Sequence, residues 1–91
     1  VSETKPDIRA EVHAILAEQA MIDVADVTDA STPQELGLDS MGMVETIFVI
    51  EERFDISVPF NANAPRDSEF DVSSVGAIVA AVERLIARQH G

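Results

Sequence analysis

Three stretches of the chain repeat apolar residues at spacings of three and four, and no stretch sustains an alternation of two. Ile8, Val12, Ile15 and Leu16 make the first stripe, running to about Glu18. Met41, Val44, Ile47, Phe48, Ile50 and Phe54 make the second, and Val75, Ile78, Val79, Val82, Leu85 and Ile86 the third, which runs through Arg88. A helix with one apolar face must bury it against another element, and this pattern offers only other helices. It predicts an all-α bundle of three main helices plus one short one, with residues 1–91 as a single domain.

The residues flanking each stripe refine the expectation. Pro6 stands where the first turn of a helix tolerates proline, and Ser73 or Ser74 can cap the last helix. The second stripe is wider than one interface requires, which predicts that this helix lies between the first and the last. Met43 and Val49 fall outside that stripe and are expected to be exposed. Gly76, Ala77, Ala80 and Ala81 in the last helix allow close packing.

A long connection joins the first two helices, from Met21 to Leu38. Within it, Thr32-Pro33-Gln34-Glu35 has the pattern of a capping box with proline at the first helical position, predicting a helical turn just before Gly37. Leu36 and Leu38 would anchor this loop to the core. Asp23, Asp26 and Asp29 are spaced by three with no following glycine, which does not match a calcium-binding EF-hand loop, so a solvated acidic surface is expected and no metal. After Pro59, the stretch from Asn61 to Glu69 has the composition of a loop. A helical turn around Arg66 to Phe70 would be the short additional helix.

Composition narrows the functional classes. The formal net charge is −11, and the acids are uneven: between Glu18 and Asp55 stand ten acids and one base, Arg53. This argues against nucleic acid as a partner, because such binding neutralises phosphates with Lys and Arg. Proteins with basic patches are favoured instead, attracted in a salt-dependent way. The apolar runs are too short for a membrane span, and Ser2-Glu3-Thr4-Lys5-Pro6-Asp7 is too polar for a signal peptide, so a cytoplasmic, monomeric protein is expected. The chain has no cysteine, so any thiol it uses must come from an attached group.

The candidate site is Leu36-Gly37-Leu38-Asp39-Ser40-Met41, a glycine-bearing turn that delivers Ser40 to the start of the second helix. Serine is a preferred N-cap, and a helix N-terminus favours anions, so a phosphodiester on the Ser40 hydroxyl would sit in a favourable field. A hydrolytic role for Ser40 would need a general base and an orienting group. Only His13 and His90 could serve as a histidine base; neither has such a context, and no Gly-x-Ser-x-Gly elbow is present.

Gly37-Leu38-Asp39-Ser40-Met41, followed by Val44, Glu45, Ile47-Phe48, Ile50-Glu51-Glu52, Phe54-Asp55 and Val58-Pro59, resembles the phosphopantetheine attachment region of acyl carrier proteins. The resemblance implies that Ser40 receives 4′-phosphopantetheine from coenzyme A, with Asp39 as its motif neighbour, and that the arm's thiol holds acyl groups as thioesters for fatty-acid or specialised lipid synthesis. It implies a group carrier and not an enzyme. The partners would be a phosphopantetheinyl transferase and acyl-transferring or acyl-modifying enzymes, docking on Met41, Met43, Val44, Glu45, Val49, Glu51 and Glu52. Val44, Ile47, Phe48 and Ile78 are the expected lining of an expandable acyl cleft, gated or shaped by the loop from Asn61 to Phe70. Gly42, Thr46 and Arg53 depart from the commoner residues of the family, and the interval between Pro59 and Val75 is longer than usual, which tilts the expectation toward a specialised carrier. A peptidyl carrier, and an acidic helical module that binds basic partners without a prosthetic group, are the alternatives.

Overall fold

A computed structural model describes residues 7–60 and 70–90. It contains three α-helices, α1 (Ile8–Ala20), α2 (Ser40–Phe54) and α3 (Val75–His90), with a 3₁₀ turn at Val24–Asp26 and no strand among the described residues. The all-α expectation holds, and the helices fall where the periodicity places them. Pro6 lies outside the described residues, as do all but the last residue of the expected turn from Arg66 to Phe70 and of the expected gating loop from Asn61 to Phe70.

Each helix has identifiable ends. Asp7 caps α1, its carboxylate accepting from the Ala10 N–H at 3.4 Å. At the other end the N–H groups of Met21 and Ile22 donate to the carbonyls of Glu18 and Ala17, with Met21 in the left-handed region at φ 61°. This is the Schellman closure, in which glycine is the usual residue. Asp55 closes α2 with φ 55°, and the Ser74 hydroxyl caps α3 by accepting from the Ala77 N–H at 3.1 Å.

The core joins Val12, Ile15, Leu16 and Ala17 of α1 to Ile47 and Ile50 of α2 and to Val75, Ile78, Val79, Val82 and Leu85 of α3. The central helix is α1 and not α2: α1 packs closely against both others, whereas α2 and α3 approach each other more distantly. The antiparallel sense of α1 and α2 is marked by the ion pair of Glu11 with Arg53. The segment after α2 spans the gap to α3. Val58 N–H donates to Glu51 Oε2 at 2.8 Å, and Ser57 exchanges two hydrogen bonds with the Gln89 side chain, 2.9 and 3.0 Å. His90 Nε2 donates to the Asp55 carbonyl at 2.5 Å. Ile56 and Phe70, both buried, complete the core.

The width of the second stripe has a different cause from the one expected. On α2 the buried arc is Met43, Thr46, Ile47 and Ile50, at positions i, i+3, i+4 and i+7. Met43 is only 6% exposed and Val49 packs partly against the core, so neither is the exposed residue it was expected to be. Met41 is 70% exposed and Phe48 is 60% exposed, on the other side of the helix. Two apolar arcs share one helix, and only one of them meets α1.

The long connection is ordered by its polar residues as much as by Val27 and Leu38, which are buried. Asp29 is the hinge pin. Its carboxylate pairs with Arg9 and lies 2.9 Å from His13 Nε2, while its carbonyl accepts from the Gly76 N–H at 2.9 Å. Ser31 likewise accepts from the Val75 N–H at 2.8 Å, so the loop satisfies the first two N–H groups of α3. His13 is half-buried against this loop.

Candidate functional site

The approach to α2 is built from three consecutive local structures. Thr32 and Glu35 form the expected capping box: the Thr32 hydroxyl accepts from the Glu35 N–H at 3.1 Å, and the Glu35 carboxylate accepts from the Thr32 N–H at 3.0 Å. The helical turn they start ends at Gly37, whose φ of +84° is open to glycine at little cost. That reversal drops Leu38 into the core and leaves Asp39 extended at the tip of α2.

The cap of α2 is Asp39 and not Ser40. Asp39 Oδ1 accepts from the Gly42 N–H at 2.8 Å, and the Asp39 carbonyl accepts from the Met43 N–H at 2.9 Å. Ser40 is the first residue of the helix proper. It is exposed, and its hydroxyl has no hydrogen-bond partner among the described residues. Aspartate and serine both have capping chemistry, and here the Asp39 carboxylate takes the task that the sequence reading assigns to Ser40.

Gly42 sits behind this cap. A Cβ there would lie 3.3 Å from Asp39 Oδ1 and 3.3 Å from Leu38 Cδ2, so the absence of a side chain gives the cap its room. One turn on, Thr46 is fully buried, and its hydroxyl donates to the Gly42 carbonyl at 2.7 Å. Two of the three departures noted in the sequence, Gly42 and Thr46, therefore stand on the same strip of α2, directly behind Ser40.

An open groove runs beside Ser40. Pro33, Leu38, Met43, Phe60 and Val72 supply its apolar lining, and Thr32, Gln34, Asp39, Asp71 and Ser73 its polar lining. The Asp71 carboxyl is held below its ordinary value of 3.8, first by the Ser73 backbone N–H and then by the Ser73 hydroxyl, with Arg84 assisting. None of the four residues expected to line an acyl cleft borders this groove. Ile47 and Ile78 are closed in the core, Val44 is half-buried, and Phe48 points outward. Periodicity marks burial without marking free space, so it singles out residues of the packed core and not those of this groove. Phe60 and Val72 sit outside any helical repeat, so nothing in the pattern singled them out.

The expected docking residues also divide. Met41, Glu45 and Glu52 are exposed; Val44 and Val49 are half-buried; Met43 is buried; and Glu51 is engaged with the Val58 N–H. Phe48 joins the exposed group, so the outer face of α2 reads Met41, Glu45, Phe48 and Glu52, at i, i+4, i+7 and i+11.

Comparison with known families decides the class. The family described as phosphopantetheine attachment site matches residues 10–82. The chain belongs to that family. It is thus an acyl carrier protein family member, and the prosthetic group of its family is 4′-phosphopantetheine. Among curated relatives, it is 51% identical over 53 residues to a D-alanyl carrier protein of Streptococcus sanguinis, covering 58% of this chain and 67% of that protein. It is 42% identical over 50 residues to an acyl carrier protein of Helicobacter pylori, covering 54% of this chain and 64% of that protein. No solved structure matches it. The chain is a carrier protein of the phosphopantetheine-attachment type.

Proposed function

We propose that Ser40 is the attachment residue and that the chain carries acyl intermediates as thioesters on its arm. The observation that carries this reading is the division of labour at the tip of α2: Asp39 caps the helix, and Ser40 presents an exposed hydroxyl, without a partner among the described residues, beside an open groove. The residues present fit the group. An exposed hydroxyl at a helix N-terminus stands where the first turn's N–H groups favour an anion. In the transfer, Ser40 Oγ forms a bond to the phosphorus that bears the pantetheine, the bond to the 3′,5′-adenosine bisphosphate leaving group breaks, and the hydroxyl proton passes to the transferase.

The attached arm supplies a thiol, which a chain without cysteine cannot supply itself. The chain's own contribution is position and address. Pro33, Leu38, Met43, Phe60 and Val72 offer an apolar bed to whatever is tethered at Ser40. Each exposed CH₂ that this bed covers is worth roughly 0.8 kcal/mol. The outer face of α2, with two carboxylates flanking Met41 and Phe48, is the surface for enzymes with basic and apolar patches, the phosphopantetheinyl transferase among them.

Fatty-acyl or specialised lipid cargo is the first reading of the pathway. Aminoacyl cargo is the second, favoured by the similarity to D-alanyl carrier proteins and by the carboxylate and hydroxyls that share the groove. Two measurements test the proposal. Intact mass after incubation with coenzyme A, magnesium and a broad-specificity phosphopantetheinyl transferase should rise by one phosphopantetheine, and Ser40→Ala should stay unmodified. An unmodified folded parent, or modification that survives Ser40→Ala, refutes the assignment. Hydroxylamine release of cargo from protein isolated from its native cells then separates fatty hydroxamate from aminoacyl hydroxamate.

A further inference from the structure

Beyond the carrier site, one exposed apolar patch has no role in anything described above. Met21 is 90% exposed, Val24 is about half exposed and Ile22 somewhat less, on the turn that follows α1. These residues are held in place. The Schellman closure fixes Met21 and Ile22 over the buried Ala17, and Asp23 caps the 3₁₀ turn that presents Val24, with its backbone carbonyl accepting from the Asp26 N–H at 2.9 Å. The buried Val27 anchors the far side.

Two further facts say what the patch is for. Met21 occupies a left-handed position that favours glycine, and its side chain packs on almost nothing. The rim is wholly acidic: Glu18, Asp23 and Asp26 are exposed, and no Lys or Arg occurs between Arg9 and Arg53. We infer that Met21, Ile22 and Val24 form a second docking surface, taking a protein partner that offers an apolar pocket ringed by Lys or Arg. A second copy of this chain would bring like charges together, and an anionic lipid surface would repel the rim. The inference does not depend on Ser40 being modified, and the outer face of α2 is a different surface.

The probe is a synthetic amphipathic helix of lysine and leucine, titrated into the isotope-labelled chain at physiological salt and followed by amide chemical shifts. Residues 18–26 should shift. Met21→Gly combined with Val24→Ser should weaken that response about tenfold, the scale expected when a buried apolar anchor is lost. Met21→Gly alone should melt no lower than the parent, since glycine suits the backbone there, which separates lost contact from lost folding. Phe48→Ser should leave the response at residues 18–26 intact. Shifts confined to α2, a response indifferent to the double variant, or one abolished by Phe48→Ser would overturn the inference. So would shifts at residues 18–26 that change with protein concentration alone, which would assign the patch to self-association.

Discussion

Replacing Asp39 tests how the tip of α2 is held. The Asp39 carboxylate does two things: Oδ1 accepts from the Gly42 N–H at 2.8 Å, and its charge faces the positive end of the helix. Asp39→Ala removes both. Loss of an N-cap acceptor costs about 1 kcal/mol, and loss of the charge at the helix end about 0.3–1 kcal/mol more at low salt. On a domain of this size that corresponds to a fall in Tm of roughly 5–16 °C. Asp39→Asn keeps an oxygen acceptor and loses only the charge, so it should lose about 0.3–1 kcal/mol at low salt and recover most of that in 1 M salt. Circular dichroism melts of the three proteins at two salt concentrations measure this directly. Gly42 adds a second arm. A Cβ at Gly42 would crowd both Asp39 Oδ1 and Leu38, so Gly42→Ala should be more damaging in the parent than in the Asp39→Ala background, by about 0.5 kcal/mol or more. If asparagine proves as harmful as alanine at high salt, or if the two substitutions simply add, the cap does not work as described.

Three other perturbations follow from the same packing. Gly76→Ala ought to stabilise an open helix position by about 0.5–1 kcal/mol, but here the Cβ would meet the Asp29 backbone carbonyl and Cβ at 3.3 Å, so a net loss of Tm is expected. Thr46→Val should change unfolding free energy by less than about 1 kcal/mol, because the Gly42 carbonyl keeps its helical partner, whereas Thr46→Leu should overpack a fully buried site and cost about 1–3 kcal/mol in chemical denaturation. Asp71 has a depressed carboxyl in the folded chain, so its contribution to stability is present above pH 3.8 and is lost as pH falls through the lower folded value. Its carboxyl resonance should titrate below 3.8, and Asp71→Asn should flatten part of the acid-side loss of Tm.

Much of this architecture is legible in the chain, and the exceptions share a cause. Helix positions follow from spacing alone, and the Thr32–Glu35 capping box follows from residue types at fixed offsets, because both depend on neighbours within one turn. Which arc of a helix meets a partner depends on residues far away. On α2 Met41 and Phe48 are as apolar as Met43 and Ile47, although Glu45 and Glu52 share their arc, and the placement of α1 against the second arc decides which pair is buried. The sole fully buried polar side chain among the described residues, Thr46, lies on the chosen arc with its hydroxyl on the Gly42 carbonyl. Phe70 is buried but has no periodic neighbours, so it looked like part of a loop. The central position of α1 escapes the periodicity for a related reason: Val12, Ile15 and Leu16 form a compact set, and the width that serves two neighbours comes with Ala17.

The pairing of Asp39 with Ser40 shows why an error of one residue in a helix boundary has chemical meaning. Were Ser40 the cap, its oxygen would accept from the N–H three residues on, which belongs to Met43, and the hydroxyl would be committed to the helix. With Asp39 as the cap, the Met43 N–H is already satisfied by the Asp39 carbonyl at 2.9 Å and the Gly42 N–H by the Asp39 carboxylate. Among the described residues the hydroxyl of Ser40 then has no structural duty. An attachment residue has to be fixed in backbone and free in side chain, and the two requirements conflict when one residue must meet both. Dividing them between neighbours removes the conflict. Gly37 aims the pair, Gly42 leaves room for the carboxylate, and a modified Ser40 would leave the cap, and so the helix, unchanged.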